Sequence, residues 1–356
     1  MTETQCKIDI LSLRREEIAD MLSAIGQPAF RAKQVFSWLH GKRAGTFEAM
    51  TSLPAALRTQ LSEKCEIVTL SERRRQTASD GTVKFLFELA DGNTIESVLM
   101  RHDYGNSLCI SSQVGCRMGC RFCASTIGGK VRDLRASEML GQIYAATALS
   151  GLRIDSVVMM GIGEPLDNFE QVLRFLDLVH DPDGICLSHR HISLSTCGLV
   201  PRIRELADMN LQITLSVSLH ACDDETRSKI MPVNNSYPIE ELLSACRYYF
   251  AKTGRRISYE YSLIAGVNDS PAQAKKLAEL LRDQACHVNL IPVNPVTETG
   301  YKRGPRRDAE RFCEILRQSG LSSTIRREFG TEIDAACGQL RRKEMQHTKG
   351  SDTPCG

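Results

Sequence analysis

The chain reads as a mixed α/β protein in which parallel βα units follow a small helical segment and a β-hairpin. Three observations carry this. Short apolar runs alternate with amphipathic stretches from residue 156 onward, residues 82–100 hold two alternating runs around a turn, and residues 11–65 space their apolar positions at helical intervals. At 356 residues the chain is long enough for one large domain and a smaller one.

Residues 11–65 are broken at Gly26, Pro28, Gly41 and Pro54 and are expected to build a helical N-terminal accessory domain within residues 1–80. Next, TVKFLFELADGNTIESVLM places Asp91, Gly92 and Asn93 between two alternating runs, a strong hairpin signal, so residues 81–101 are expected to form a connector. The core is expected over 102–340. Its strands are predicted at 156–160, 191–195, 213–219, 257–263, 288–293 and 323–327, with helices between them at, for example, 137–149, 239–250, 272–282 and 308–318. Strand and helix in turn imply a parallel sheet, whose chemistry gathers at the carboxyl ends of the strands. Unusual polar residues fall there: Gly163 and Glu164 after the first run, Thr196 after the second, His220 after the third and Asn294 after the fifth. The segment 346–356, QHTKGSDTPCG, reads as a disordered tail.

With 45 basic and 43 acidic residues and a net charge of +2, bulk charge leaves the substrate open, and any nucleic-acid signal must come from local clusters. Such clusters occur at Arg73, Arg74 and Arg75, at Lys302, Arg303, Arg306 and Arg307, at Arg326 and Arg327, and at Arg341, Arg342 and Lys343. They attract phosphates, although solvated surface charge accounts for any one of them. The 14 cysteines are scattered and the start, MTETQCKIDI, lacks the basic and apolar regions of a secretory signal, so a reducing cytoplasm is the expected compartment. No apolar stretch approaches the roughly 20 residues that cross a bilayer.

Cys116, Cys120 and Cys123 place three thiolates in one loop with gaps of three and two residues. An iron–sulfur cube normally takes four cysteines, so three leave one iron open to a ligand that is not protein. The spacing resembles that of the radical S-adenosylmethionine superfamily, in which the open iron chelates the cofactor. A tetrahedral zinc site is the main competitor, though it usually brings paired Cys-x-x-Cys knuckles and no second pair exists here. Three buried cysteines acting as small hydrophobes are the plain alternative. Gly161–Pro165 (GIGEP) follows a strand, where glycine allows close backbone approach and Glu164 can accept a hydrogen bond from a ligand; an ordinary βα turn would also use glycine. Ser195, Asn294 and the group Ser218, Leu219 and His220 stand at strand ends, individually weak and jointly consistent with a cofactor pocket. Cys337 sits among small residues in IDAACGQ, and Cys109 precedes the cysteine loop. By composition alone both are buried, inert thiols, and Glu96 is a carboxylate at a strand start.

Taken in order, CISSQVGCRMGCRFCAS, MGIGEPLDN, LSTCGLVP, VSLHA, IMPVN, HVNLIPVNPV and FGTEIDAACGQLR resemble the RlmN/Cfr family of radical S-adenosylmethionine RNA methyltransferases over about residues 96–341. The resemblance implies a partly open (βα)6 radical SAM barrel with a small helical N-terminal accessory domain and a connecting β-hairpin. It implies a 4Fe-4S cluster on Cys116, Cys120 and Cys123, and two molecules of S-adenosyl-L-methionine per turnover. Cys337 would carry a methyl group as S-methylcysteine, Cys109 would resolve the adduct through a transient disulfide with Cys337, and Glu96 would accept a proton. Gly163, Glu164, Ser195, Ser218, Leu219, His220 and Asn294 match cofactor-binding positions. Pro165 matches the branch that methylates carbon 2 of adenosine rather than carbon 8. The implied partners are 23S rRNA, tRNA anticodon loops and an electron donor such as flavodoxin or ferredoxin, with a monomer as the default state and no membrane. Cys197 takes no assigned role. The alternatives are a Cfr-type carbon-8 methyltransferase and a noncatalytic metal-containing RNA-binding module.

Overall fold

The computed structural model describes residues 7–294, 300–327, 329, 330, 332, 333, 338–342 and 344; Cys337 and the segment 346–356 lie outside them. The N-terminal part holds β1 (Ile8–Asp9), α1 (Arg15–Ala24), α2 (Arg31–Phe36), α3 (Ala55–Lys64) and β2 (Cys65–Glu66), with β1 and β2 paired in parallel. Helix α1 starts where the Glu17 carboxylate turns back to accept the Arg14 N–H at 2.7 Å, satisfying one of the helix's orphan donors. Its apolar face buries Ile18 and Leu22. The segment docks on the core through Arg15–Asp181 (2.6 Å), Arg14–Asp177 (2.5 Å) and a buried His40 whose Nδ1 lies 2.8 Å from the Tyr144 hydroxyl.

The core begins as an antiparallel meander of β3 (Ser71–Thr77), β4 (Val83–Glu88), β5 (Thr94–His102) and β6 (Gly105–Cys109). The β4–β5 turn contains Asp91, Gly92 and Asn93, where the Asp91 carboxylate accepts the Asn93 N–H at 3.1 Å. A short ribbon of β7 (Gln113–Gly115) and β8 (Lys130–Asp133) encloses the cysteine loop. Then α4 (Ala136–Ser150), β9 (Ser156–Met159), α5 (Phe169–His180), β10 (Ile192–Thr196), α6 (Val200–Asp208), β11 (Thr214–Ser218), α7 (Asp224–Ile230), α8 (Ile239–Thr253), β12 (Ile257–Leu263), α9 (Pro271–Leu280), β13 (Cys286–Pro292), α10 (Arg306–Gln318) and β14 (Ser323–Ile325) follow.

All ten strands from β3 to β6 and β9 to β14 form one sheet in the order β14-β13-β12-β11-β10-β9-β6-β5-β4-β3. From β6 to β14 every pairing is parallel, and β14 does not pair with β6, so the sheet stays open. Six helical crossovers, through α4, α5, α6, α8, α9 and α10, match the expected six βα units. The sequence yields six apolar runs, whereas the sheet has seven parallel strands. The extra one is β6, GNSLC, which is not a continuous apolar run because Asn106 and Ser107 precede Leu108 and Cys109. No helix among the described residues is long and apolar enough to cross a membrane.

Candidate active site

Strand register decides which side chains meet. Directly paired residues share a sheet face and alternate residues return to it. Val98 pairs with Cys109, Cys109 with Val158, and Val158 with Ser193. Two residues further, Ser195 pairs with Ser216; Ser218 pairs with Glu260, which pairs with Asn289. Glu96, Cys109, Ser195 and Ser218 therefore all lie on the inner face, near the carboxyl edge of the parallel strands. Beneath Cys109 that face encloses a cavity of about 320 Å³ lined by Met100, Ser107, Val158, Met160, Ser193 and Phe329, among others.

The cysteine loop sits over this edge. Cys120 packs among Cys197, Ile230, Met231 and Val233, with Phe122 and Cys123 partly buried beside it. The Arg121 N–H donates to the Ile230 carbonyl at 2.9 Å, tying the loop to the end of α7. Gln113 fastens it to the neighbouring turn, its Oε1 accepting the Glu164 N–H at 2.9 Å and its Nε2 donating to Asp167 at 2.8 Å. Burial pushes the Cys116 thiol up to about 12, with Glu164 and Cys123 adding to it, and pushes Cys120 well above its ordinary value, with Cys123 and Cys116 adding to it. Buried thiols such as Cys116 and Cys120 become thiolates only against a compensating positive charge, which is what bound iron supplies. Three cysteine thiolates in one loop are a donor set an iron–sulfur cube takes, and Cys116, Cys120 and Cys123 would hold it.

Behind the loop, Gly163 has φ +111° and a Cβ placed there would lie 2.6 Å from the Cβ of Gln113, so only glycine fits. The buried Glu164 carboxylate accepts the Leu166 N–H at 3.0 Å and the Cys197 N–H at 2.7 Å. Burial pushes its pKa up against the hydrogen bonds that hold it down. Cys197, assigned nothing by the sequence, thus orients Glu164 through its backbone. His220 has φ +56° and lies edge-on to Phe122 at 4.9 Å between ring centroids. Its Nδ1 accepts the Ser262 N–H at 2.9 Å, which leaves the proton on Nε2. Burial, then the Arg227 cation, lowers its pKa to about 3, so the ring is neutral. Leu219 is buried and Asn294 is exposed at the end of β13.

Sequence reasoning missed Arg227. It is 0% exposed and donates to the carbonyls of Cys197 (2.7 Å), Ser218 (3.0 Å) and Leu219 (3.1 Å) and to Asn234 Oδ1 (2.9 Å). Its only signal was an arginine one turn before the apolar pair Ile230 and Met231.

Glu96 is 3% exposed and ion-paired with the buried Lys84 at 2.9 Å. Its two oxygens accept the N–H groups of Gly338 and Arg341, each at 2.6 Å. Gly338 has φ +77°, and a Cβ there would lie 3.0 Å from the Ser125 N and Oγ, next to the cysteine loop. Cys337 falls outside the described residues, but its neighbour Gly338 is fixed between Glu96 and Ser125.

The basic clusters are less available than the sequence implies. Arg73 pairs with Glu88 and Glu344, Arg75 with Glu72, and Arg306 with Glu310.

Comparison with known proteins places these features in one family. Residues 110–281 match the model of the radical SAM superfamily, and residues 8–67 match that of the ribosomal RNA large subunit methyltransferase N-terminal domain. The chain is 52% identical over 96% of both chains to the probable dual-specificity RNA methyltransferase RlmN of Lachnoclostridium phytofermentans. It is 51% identical to the protein of that description from Bacillus licheniformis, over 95% of this chain and 94% of the other. The crystal structure of a radical SAM methyltransferase from Sphaerobacter thermophilus superposes with a TM-score of 0.89 at 43% identity, covering 93% of this chain and 98% of that one. A helical module of the rRNA methyltransferase type, a three-cysteine loop over an open parallel sheet and half-identical relatives along nearly the whole length lead to one conclusion: the chain belongs to the RlmN family of radical S-adenosylmethionine RNA methyltransferases.

Proposed function

We propose that the enzyme methylates carbon 2 of adenosine in 23S rRNA and in tRNA anticodon loops, in the cytoplasm, with Cys337 as methyl carrier. The observation that carries this reading is the clasp of Glu96 on the Gly338 and Arg341 N–H groups, which fastens the backbone beside Cys337 to the strand face that Cys109 shares. Relatives described as dual-specificity RNA methyltransferases support the two RNA classes, and Pro165 supports carbon 2 over carbon 8.

Cys337 takes a methyl group from one S-adenosylmethionine by displacement at the sulfonium, its thiolate forming the S–CH3 bond. The cluster on Cys116, Cys120 and Cys123 with a second S-adenosylmethionine supplies, when bound, the 5'-deoxyadenosyl radical that accepts a hydrogen atom from that methyl group. The carbon left on Cys337 bonds to carbon 2 of adenine, an electron-poor sp2 centre that resists electrophilic methylation. Glu96, ion-paired with Lys84, receives the proton lost from the base. Cys109 attacks the Cys337 sulfur as a thiolate: an S–S bond replaces the S–C bond to the base, the adduct's unpaired electron passes to an oxidised electron-transfer partner of the flavodoxin or ferredoxin type, and the freed CH2 carbon takes up a proton to become the methyl group. Around the cofactor, Glu164 would accept from its amino group, the neutral His220 would offer an N–H to the ribose, and Gly163, Ser195, Ser218, Leu219 and Asn294 would complete the wall. A flavodoxin- or ferredoxin-type donor supplies electrons.

The test is Cys109→Ala, purified anaerobically from cells containing the target RNA and analysed by mass spectrometry. RNA covalently attached to Cys337 is expected. An unmodified Cys337 together with normally methylated RNA would overturn the carrier role, and 8-methyladenosine in the wild-type product would overturn the carbon-2 assignment.

A further inference from the structure

We propose that Arg227 sets the potential of the cluster: it is a buried positive charge, anchored on the carbonyl groups of the cofactor-binding strand ends, that favours the reduced cluster and positions those strand ends at the same time. The inference rests on the reading that Cys116, Cys120 and Cys123 hold a 4Fe-4S cluster.

A buried guanidinium is normally matched by a carboxylate, because an unpaired charge in a low-dielectric interior costs several kcal/mol. No carboxylate is hydrogen-bonded to Arg227: its partners are the carbonyls of Cys197, Ser218, Leu219 and Tyr237 and the neutral amide of Asn234, and among the described residues it forms no salt bridge, Asp224 acting on it only through space. Neutral dipoles solvate the cation without cancelling its field. What lies one turn further along α7 is the cysteine loop. Ile230 and Met231 pack against Cys120, and the Ile230 carbonyl receives the Arg121 N–H. Buried apolar groups, among them Ile230 and Met231, fill part of the intervening space, so attraction between the cation and the cluster is screened less than in water. The guanidinium also holds the carbonyl of Cys197, a residue that packs in the same cluster as Cys120.

A cube on three thiolates carries net negative charge, and one added electron increases it with no bond made or broken. A nearby fixed cation therefore favours the reduced form. The acidic group on the other side is Glu164, also buried, whose carboxylate accepts the Cys197 N–H. Arg227 is the group that offsets it. Its second effect follows from the same bonds: by holding the carbonyls of Cys197, Ser218 and Leu219 it fixes the separation of β10 and β11 at the edge where the cofactor is expected.

The two effects separate in variants. Each protein is reconstituted anaerobically with iron and sulfide, its cluster content is measured, and the reduced fraction is followed by electron paramagnetic resonance during a dithionite titration. Arg227→Met is expected to lower the ratio of reduced to oxidised cluster at fixed potential on the order of tenfold, about 59 mV for a one-electron couple. Arg227→Lys keeps the charge but cannot span the same carbonyls, so it is expected to retain the potential and weaken S-adenosylmethionine binding. Asn234→Asp places a carboxylate against the intact guanidinium and is expected to shift the potential in the direction of Arg227→Met; it serves if the Arg227 variants do not fold. A folded, cluster-loaded Asn234→Asp or Arg227→Met protein with the wild-type potential would falsify the inference. A wild-type protein that assembles no 4Fe-4S cluster overturns the reading beneath it instead.

Discussion

The two faces of the same strands are built on opposite rules. The outer face presents Leu108, Val157, Leu194, Leu215, Val217, Tyr259 and Leu290, all fully buried and part of one core with the crossover helices. The inner face of those strands carries Ser107, Cys109, Ser193, Ser195, Ser216, Ser218, Glu260 and Asn289. Removing apolar area from water stabilises the fold on one side at roughly 25 cal/mol per Å². On the other side hydroxyls, a thiol and carboxylates are withdrawn from water at a cost that only hydrogen bonds and ion pairs offset. Stability is concentrated outside and chemistry inside, and the pleat, which alternates the two, lets each be tuned with little interference from the other.

The largest effect should come from the edge above the inner face. Cys116→Ala is expected to lose the bound iron and all methyl transfer, read by iron analysis and by nucleoside mass spectrometry; a variant that keeps a full cluster and activity would remove the site from this edge. On the inner face itself, Lys84→Met leaves Glu96 buried without its cation and should cost about 3–5 kcal/mol in a urea titration. A cost near zero would mean that Glu96 is held by the Gly338 and Arg341 N–H groups alone. The sharpest contrast comes from adjacent residues of β11. Leu215→Ala should cost about 2–5 kcal/mol, while Ser216→Ala, facing the interior, should cost less than about 1 kcal/mol. Equal costs would erase the distinction between the faces.

The smallest effect depends on pH. Burial lowers the His220 pKa from its ordinary 6.5 to about 3. Between those values the unfolded chain binds the proton and the folded chain does not, so stability is full above about 6.5 and falls as the pH drops towards 3, by up to about 1.4 kcal/mol per pH unit. His40, lowered to about 4 by burial in the N-terminal segment, adds a similar slope. His220→Asn keeps an acceptor for the Ser262 N–H and tolerates the left-handed backbone, so it should flatten part of the acid slope of Tm. An unchanged slope would mean that His220 is protonated in the folded protein.

Much of this arrangement was legible beforehand where chemistry is local. The hairpin at Asp91–Asn93, the six apolar runs, the three-cysteine loop and GIGEP are all set by neighbours in the chain, since turn preferences, strand alternation and ligand spacing act over a few residues. Strand β6 was harder, because its alternating serine and cysteine mask an apolar run. Cys197 and Arg227 were not legible as site residues, because one acts through its backbone N–H and the other through distant carbonyls. The pairing of Arg73 with Glu344 was not legible either, because it joins segments 271 positions apart.

The sequence by itself determined the kinds of element, their order and the residue types capable of holding iron and moving a methyl group, because hydrophobic period and side-chain chemistry are written residue by residue. Only the tertiary structure decided that Glu96, 242 positions before Gly338, holds that residue's N–H, that Arg227 lies unpaired beneath the cysteine loop, and that Ser195, Ser218 and Cys109 face one interior. Those outcomes depend on strand register and on burial, which exist only once distant segments pack and water is excluded between them.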